Sequence, residues 1–163
     1  MKRADLVPEK ICTLTQLLQK AAQWRLPDKK ISFTNGVFDI LHPGHIFSLT
    51  EAAKEADYLV VGLNADASVK RLKGETRPVN DEQSRALLLA SLVVVDAVVL
   101  FEEDTPLELI KALLPDVLVK GGDYTIEQIA GAKEVIAAGG RVVINPILDG
   151  FSTTAIIERS KKG

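Results

Sequence analysis

Lys30-Ile31-Ser32-Phe33-Thr34-Asn35-Gly36-Val37-Phe38-Asp39-Ile40-Leu41-His42-Pro43-Gly44-His45 opens as a short β-type run and breaks into a polar turn. Ile46-Phe47-Ser48-Leu49-Thr50-Glu51-Ala52-Ala53-Lys54 then reads as a helix. Pro43 suits the first helical position, where its missing N–H would be unpaired in any case. Gly44 lets a ligand approach the backbone closely. The free N–H groups and positive dipole of a helix N-terminus attract anions. His42 and His45, the only two histidines, add donors at the same point. A metal site or a plain loop end is the competing reading of two His three residues apart. Zinc would need three or four ligands, and here there is no nearby Cys and only Asp39 as a close carboxylate. A phosphate site is therefore the expectation.

Outward from this segment, strands and helices alternate. Strands are expected at 30–35, 58–63, 97–101, 117–120 and 141–145, each a nearly continuous apolar run of the kind buried on both faces of a parallel sheet. Helices are expected at 44–56, 81–92, 105–114, 126–138 and 153–161. Asp81 and Thr105 look like N-caps, with Pro106 opening the helix after Thr105. Gly139-Gly140 marks a helix end. Residues 8–24 read as one amphipathic helix with Ile11, Leu14, Leu17, Leu18 and Ala21 on a single face. The alternation implies an α/β protein of three layers, a mostly parallel five-stranded sheet between helices. The expected organisation is a helical extension over 1–28 and one domain over 29–163.

In open α/β sheets, ligands bind beyond the carboxyl ends of the strands. Sorted by that rule, the polar clusters converge. Asn35, Asp39, His42 and His45 follow the first strand; Asn64, Asp66, Lys70, Arg71, Lys73 and Arg77 follow the second. Lys120-Gly121-Gly122-Asp123-Tyr124 follows the fourth, and Asn145 and Phe151-Ser152-Thr153-Thr154 follow the fifth. Each has a plainer reading. The basic cluster could be a solvated loop, the Gly pair a tight turn, and Ser152 to Thr154 a helix cap. Four loops supplying phosphate-type chemistry to one edge outweigh these readings taken singly.

With 163 residues the chain is long enough for one sizeable core. A net charge of −2 gives no general attraction to nucleic acid. Cys12 is the only cysteine, so no internal disulfide can form. Met1-Lys2-Arg3-Ala4-Asp5 is not followed by the apolar region of a secretory leader. The longest apolar stretch, Ala86 to Val95, is far short of the roughly 20 residues that span a bilayer. A cytoplasmic protein with no membrane partner is expected. The apolar face of 8–24 and the run Leu87 to Val95 could serve a homodimer or the core, with the core favoured.

The residues also carry a family resemblance. Thr34 to His45 resembles the HxGH signature of the cytidylyltransferase-like nucleotidyltransferases, and Phe151-Ser152-Thr153-Thr154 resembles their second signature near the C-terminus. Asn64 to Gly74, Arg77 to Asn80, Phe101 to Pro106, Leu118 to Tyr124 and Ile129 to Val135 resemble the branch that makes ADP-heptose. The resemblance runs from about residue 30 to the end. It implies a Rossmann-like fold and the transfer of an adenylyl group from ATP, with Mg2+, to D-glycero-β-D-manno-heptose 1-phosphate, for the heptose region of lipopolysaccharide. It further implies the stand-alone form of an enzyme that many bacteria fuse behind a sugar kinase.

By the same resemblance, His42, His45, Lys70 and Lys73 are the expected catalytic residues. Asn35, Gly36, Val37, Phe38, Arg85, Gly121, Asp123, Phe151, Ser152, Thr153 and Thr154 are expected, with the two His, at the nucleotide. Asp39, Lys70, Lys73, Arg77 and Lys120 are expected at the sugar phosphate. For Arg85 a surface helix position is the competing reading. No metal ligand is expected from the protein itself. The rival substrate pair is cytidylyl transfer to glycerol 3-phosphate or another small phosphorylated alcohol. An NAD-linked oxidoreductase fails because no G-x-G-x-x-G follows the first strand, and a non-catalytic nucleotide-binding module would not need the intact His pair.

Overall fold

The computed structural model describes residues 5–162. Residues 1–4 and 163, at the outer ends of the two expected segments, lie outside the described residues. The five expected strands are present as β2 Ile31–Gly36, β3 Tyr58–Asn64, β4 Ala97–Phe101, β5 Val117–Gly121 and β6 Arg141–Asn145. A sixth, β1 Ile11–Cys12, lies on β4 with Ile11 opposite Val98 and Cys12 opposite Val99. The sheet runs β1-β4-β3-β2-β5-β6, parallel at every pairing. It therefore has six strands, not five.

The extra strand comes out of the segment expected to be one helix. Instead the chain forms α1 Leu6–Glu9, then β1, then α2 Leu14–Arg25. A capping box resets the chain at Thr13. Its hydroxyl accepts from the Gln16 amide at 3.2 Å, and the Gln16 side chain accepts from the Thr13 amide at 2.9 Å. Ile11 fits the helical period of Leu14 to Ala21 by spacing alone, but the cap excludes it from that helix.

Alternation along the strands sends side chains to two cores. Ile31, Phe33, Val60, Val99 and Leu118 pack with Leu17 and Ala21 of α2, with α6 (Leu107–Leu113) and with α7 (Ala132–Ala137). Leu59, Val61, Leu63, Val98 and Val119 pack on the other face with α3 (Pro43–Ala53) and α5 (Glu82–Ala90). Each fully buried Leu, Ile or Phe contributes roughly 1.5–3 kcal/mol by leaving water. At the foot of the sheet Trp24, near the end of α2, stacks on Tyr58 at the start of β3, with centroids 4.3 Å apart and rings 10° from parallel.

Two further elements differ from expectation. The basic segment after β3 is not a loop but α4, Asp66–Lys73. The helix expected over 126–138 is split into a 3-10 turn, Ile126–Gln128, and α7. Gly131 causes the split. It has φ +83, and a Cβ there would lie 2.6 Å from Ile110 Cγ2. Thr105 and Pro106 precede α6, which begins at Leu107. The last helix, α8, is Thr153–Ser160. No described helix is long and apolar enough to cross a membrane.

The chain leaves β2 toward β3 on one side, and from β4 it crosses back to β5 on the other. The crevice of such a sheet opens where that order reverses, beyond the carboxyl ends of β2 and β5. The turn from Asn35 to His45 lies there.

Candidate active site at the reversal of strand order

His42 is the N-cap of α3, and Pro43 occupies its first turn, as its fixed φ favours. The His42 side chain caps nothing. Its ring stacks on that of His45 at 3.8 Å, and His45 meets Phe38 edge-on at 5.3 Å. Gly44 is required for this packing: a Cβ would come within 3.0 Å of the His42 ring and 3.2 Å of Phe151 Cβ. The Nδ1 atoms of both histidines are buried and, among the described residues, lack a hydrogen-bond partner. Burial holds the His42 ring below the usual histidine range. It pushes His45 down to about 4, helped by His42 and opposed by the Ile40 carbonyl. Both rings are neutral at pH 7. Unsatisfied buried donors and acceptors are costly, so this pair is built to be completed by something else.

A cavity of about 570 Å³ is bordered by His45. Asn35 and Gly36 line it from β2, Val37 and Phe38 from the turn after it, Lys73 from α4, Lys120 from β5, and Thr153 and Thr154 from α8. A second cavity of about 330 Å³ is lined by His42, Gly44, Gly121, Phe151 and Ser152. His45 and Thr153 belong to both walls. Ser152 caps α8, accepting from the Ala155 amide at 3.1 Å. Two helix N-termini thus converge on one place.

The cations differ in kind. Lys120 sits over the Tyr124 ring at 5.4 Å, and burial lowers its pKa. Lys73 lines the same cavity, while Lys70, three residues earlier on α4, is exposed and lines neither cavity. Arg77 borders the cavity but donates to Asp39 at 2.7 Å. Asp39, 1% exposed, also accepts from the amides of Val79 and Asn80, each at 2.9 Å. Its burial would raise its pKa, but those two amides and the Arg77 guanidinium hold it below the usual carboxylate range. Asp39 therefore reaches the cavity wall with both oxygens already engaged.

Arg85 is placed differently from its expected role at the nucleotide. It is 0% exposed and lines neither cavity. Its guanidinium donates to the carbonyls of Asn80 (2.9 Å), Val37 (2.8 Å) and Asn64 (2.8 Å), and to the Asp66 carboxylate (2.7 Å). Asp123 is exposed and also outside both cavities. Conversely Asp104, Thr105, Tyr124 and Gln128 line the larger cavity without having been assigned there from sequence. The first three fall inside the stretches Phe101–Pro106 and Leu118–Tyr124 and were within reach. Gln128 is brought in by the 3-10 turn, whose start is marked in the sequence by the Thr125–Gln128 capping box. Among the described residues no group of three or more His, Cys, Asp or Glu is gathered as for a metal ion.

The profile of the family described as cytidylyltransferase-like matches residues 33–159. The chain is 60% identical over 141 residues to a bifunctional protein HldE of Rhodopseudomonas palustris (strain BisB18), covering 86% of this chain and 29% of that one. It is 55% identical over 161 residues to the HldE of Hyphomonas neptunium, covering 99% and 32%. The chain thus spans about a third of the length of these curated relatives. A crystal structure of the lipopolysaccharide core biosynthesis protein from Thermoplasma volcanium aligns with a TM-score of 0.59 at 34% identity, over 74% of this chain and 97% of that one. Pantoate-β-alanine ligase from Francisella tularensis, complexed with β-γ ATP and β-alanine, shares the fold at a TM-score of 0.60 and 17% identity, over 93% and 76%. A parallel sheet with its strand order reversing at a His-Pro-Gly-His turn, and a match over most of its length, mean that the chain belongs to the cytidylyltransferase-like family of nucleotidyltransferases.

Proposed function

We propose that this chain transfers the adenylyl group of ATP to D-glycero-β-D-manno-heptose 1-phosphate, giving ADP-heptose and pyrophosphate for lipopolysaccharide core synthesis. One observation carries the reading. His45 and Thr153 border two adjoining cavities, so groups held in both would lie against the same imidazole and hydroxyl. The choice of heptose rests on the resemblance of the 64–80, 101–106 and 118–135 stretches.

A sugar phosphate has a second pKa of about 6 and is mostly dianionic at pH 7. Its oxygen attacks the α-phosphorus directly as the bond to the β-phosphate bridge breaks, and pyrophosphate leaves. No general base is needed, because the attacking phosphate is already ionised. A neutral imidazole still donates one N–H, and negative charge arriving beside it favours the protonated ring. His42 and His45 would stabilise charge growing on the departing phosphates, a task for preorganised donors. Ser152, Thr153 and Thr154 would hold the β- and γ-phosphates at the start of α8. Lys73 and Lys120, with no carboxylate partner among the ion pairs of the site, would take the remaining phosphate charge. Magnesium enters as part of the nucleotide substrate, on triphosphate oxygens and water. A nucleoside triphosphate substrate goes with a cytoplasmic location.

The test is pyrophosphate release by purified protein with ATP or CTP and magnesium, with and without the heptose phosphate. Release that requires both ATP and the heptose phosphate supports the reading. Release only with CTP and glycerol 3-phosphate, or no release from folded protein, overturns it.

A further inference from the structure

Arg85 has the largest side chain among the fully buried residues. It does not fill space as an apolar residue would. Four hydrogen bonds tie it to four pieces of the cavity frame: the turn after β2 at Val37, the end of β3 at Asn64, the start of α4 at Asp66, and the loop before α5 at Asn80. Asn80 extends the tie. Its amide donates to the Asp39 carboxylate at 2.9 Å, and its side chain donates to the Asp39 carbonyl at 2.8 Å. Asp66 is held from its other side, its amide donating to Glu82 at 2.7 Å.

The Val37 contact has a specific consequence. The residue after it, Phe38, adopts φ +47, a conformation that a bulky side chain keeps only when its surroundings impose it. The Phe38 ring is buried and stands edge-on to His45 at 5.3 Å. A guanidinium fixed at four points therefore fixes a carbonyl, the carbonyl fixes an unusual backbone turn, and the turn fixes the ring against which His45 rests.

We propose that Arg85 is a positioning residue for nucleotidyl transfer: it does not touch substrate, and through the Val37 carbonyl and the Phe38 ring it sets where the His45 imidazole stands. Arg is suited to this and Lys is not. Only a planar fork can serve carbonyls of a strand and two loops and a carboxylate at once. The kinetic part of this proposal rests on the adenylyl-transfer reading; the structural part does not.

The test is Arg85→Lys in the full chain, read in two ways. With only two histidines in the protein, imidazole resonances from histidine-labelled protein report His42 and His45 separately once His42→Gln assigns them. Arg85→Lys is expected to move the His45 resonances by changing its packing on Phe38. It should also cut kcat on the order of 10²-fold, as misplacement of a catalytic group does, while KM for ATP changes little. Phe38→Leu, which leaves every Arg85 hydrogen bond in place, should reproduce both effects and serves if Arg85→Lys does not fold. Unmoved His45 resonances with full turnover in either variant overturn the proposal. A raised KM for ATP at unchanged kcat also overturns it, since Arg85 would then contact nucleotide directly. Should the wild type fail to consume heptose phosphate, the functional reading falls, and the His45 resonances still decide the positioning role.

Discussion

The start of α3 and the Asp39–Arg85 network share one cavity wall, yet they treat polar atoms in opposite ways. At His42 and His45, the two Nδ1 atoms are buried without a hydrogen-bond partner among the described residues, and no carboxylate acts on the His45 ring. At Asp39 and Arg85, with Asn80 between them, buried charges are engaged by several hydrogen bonds each. The contrast separates what holds the site from what awaits a ligand. A buried polar group with all its bonds made is part of the frame. One with its bonds unmade at a cavity wall can take up a ligand that arrives later. Arg85 and His45 both have buried polar nitrogens near the site, and only their partners tell them apart.

Substitutions on the two sides should therefore fail differently. The largest effect is expected from Asp39→Ala, which strands the Arg77 guanidinium and two amides; loss of one member of a buried pair costs about 3–5 kcal/mol, read as a lower denaturation midpoint at unchanged slope. His45→Ala should keep the midpoint close to wild type and lose on the order of 10²–10³ in turnover. Equal losses of stability in both variants would erase the distinction.

Acid should sharpen the contrast. His45 binds its proton less readily in the folded state, so the unfolded chain takes up more protons between the ordinary histidine range near 6.5 and about 4. Stability should fall as pH drops through that window, and His45→Gln should flatten the fall. Asp39 has a folded pKa below the usual 3.8, so its contribution should persist through that window and be lost only below it. Melting temperatures followed downward from pH 7 should fall first through the His45 window, and the Asp39→Ala difference should persist across it. The smallest effect is expected from Ser152→Ala. It removes the cap of α8, worth about 0.5–2 kcal/mol, and should weaken ATP binding without abolishing transfer. A thermal melt paired with a KM measurement checks both.

The five long strands were legible because each is a nearly unbroken apolar run, and the Pro-Gly turn after β2 announced where α3 begins. β1 was hidden because Ile11 falls in phase with the helical period of α2, and only the cap at Thr13 breaks it. α4 was hidden because it buries just Ser68 and Val69 and shows water its basic side. At the site, His42, His45, Lys73, Lys120 and the Ser152–Thr154 turn could be read because their chemistry is uncommon at strand ends. The fate of Arg85 could not be read. Its acceptors lie 5, 19, 21 and 48 residues away in the chain, and only the fold assembles them.

The stack of Trp24 on Tyr58 at the foot of the sheet has a consequence for light. Trp24 is the only tryptophan, and Tyr58 opens the seven-residue strand β3. At about 3.3 Å per residue, that strand puts roughly 20 Å between the indole and the ligand-binding edge. Its emission should therefore follow the docking of α2 onto the sheet while staying dark to nucleotide, giving the chain a built-in gauge of folding that substrates do not disturb.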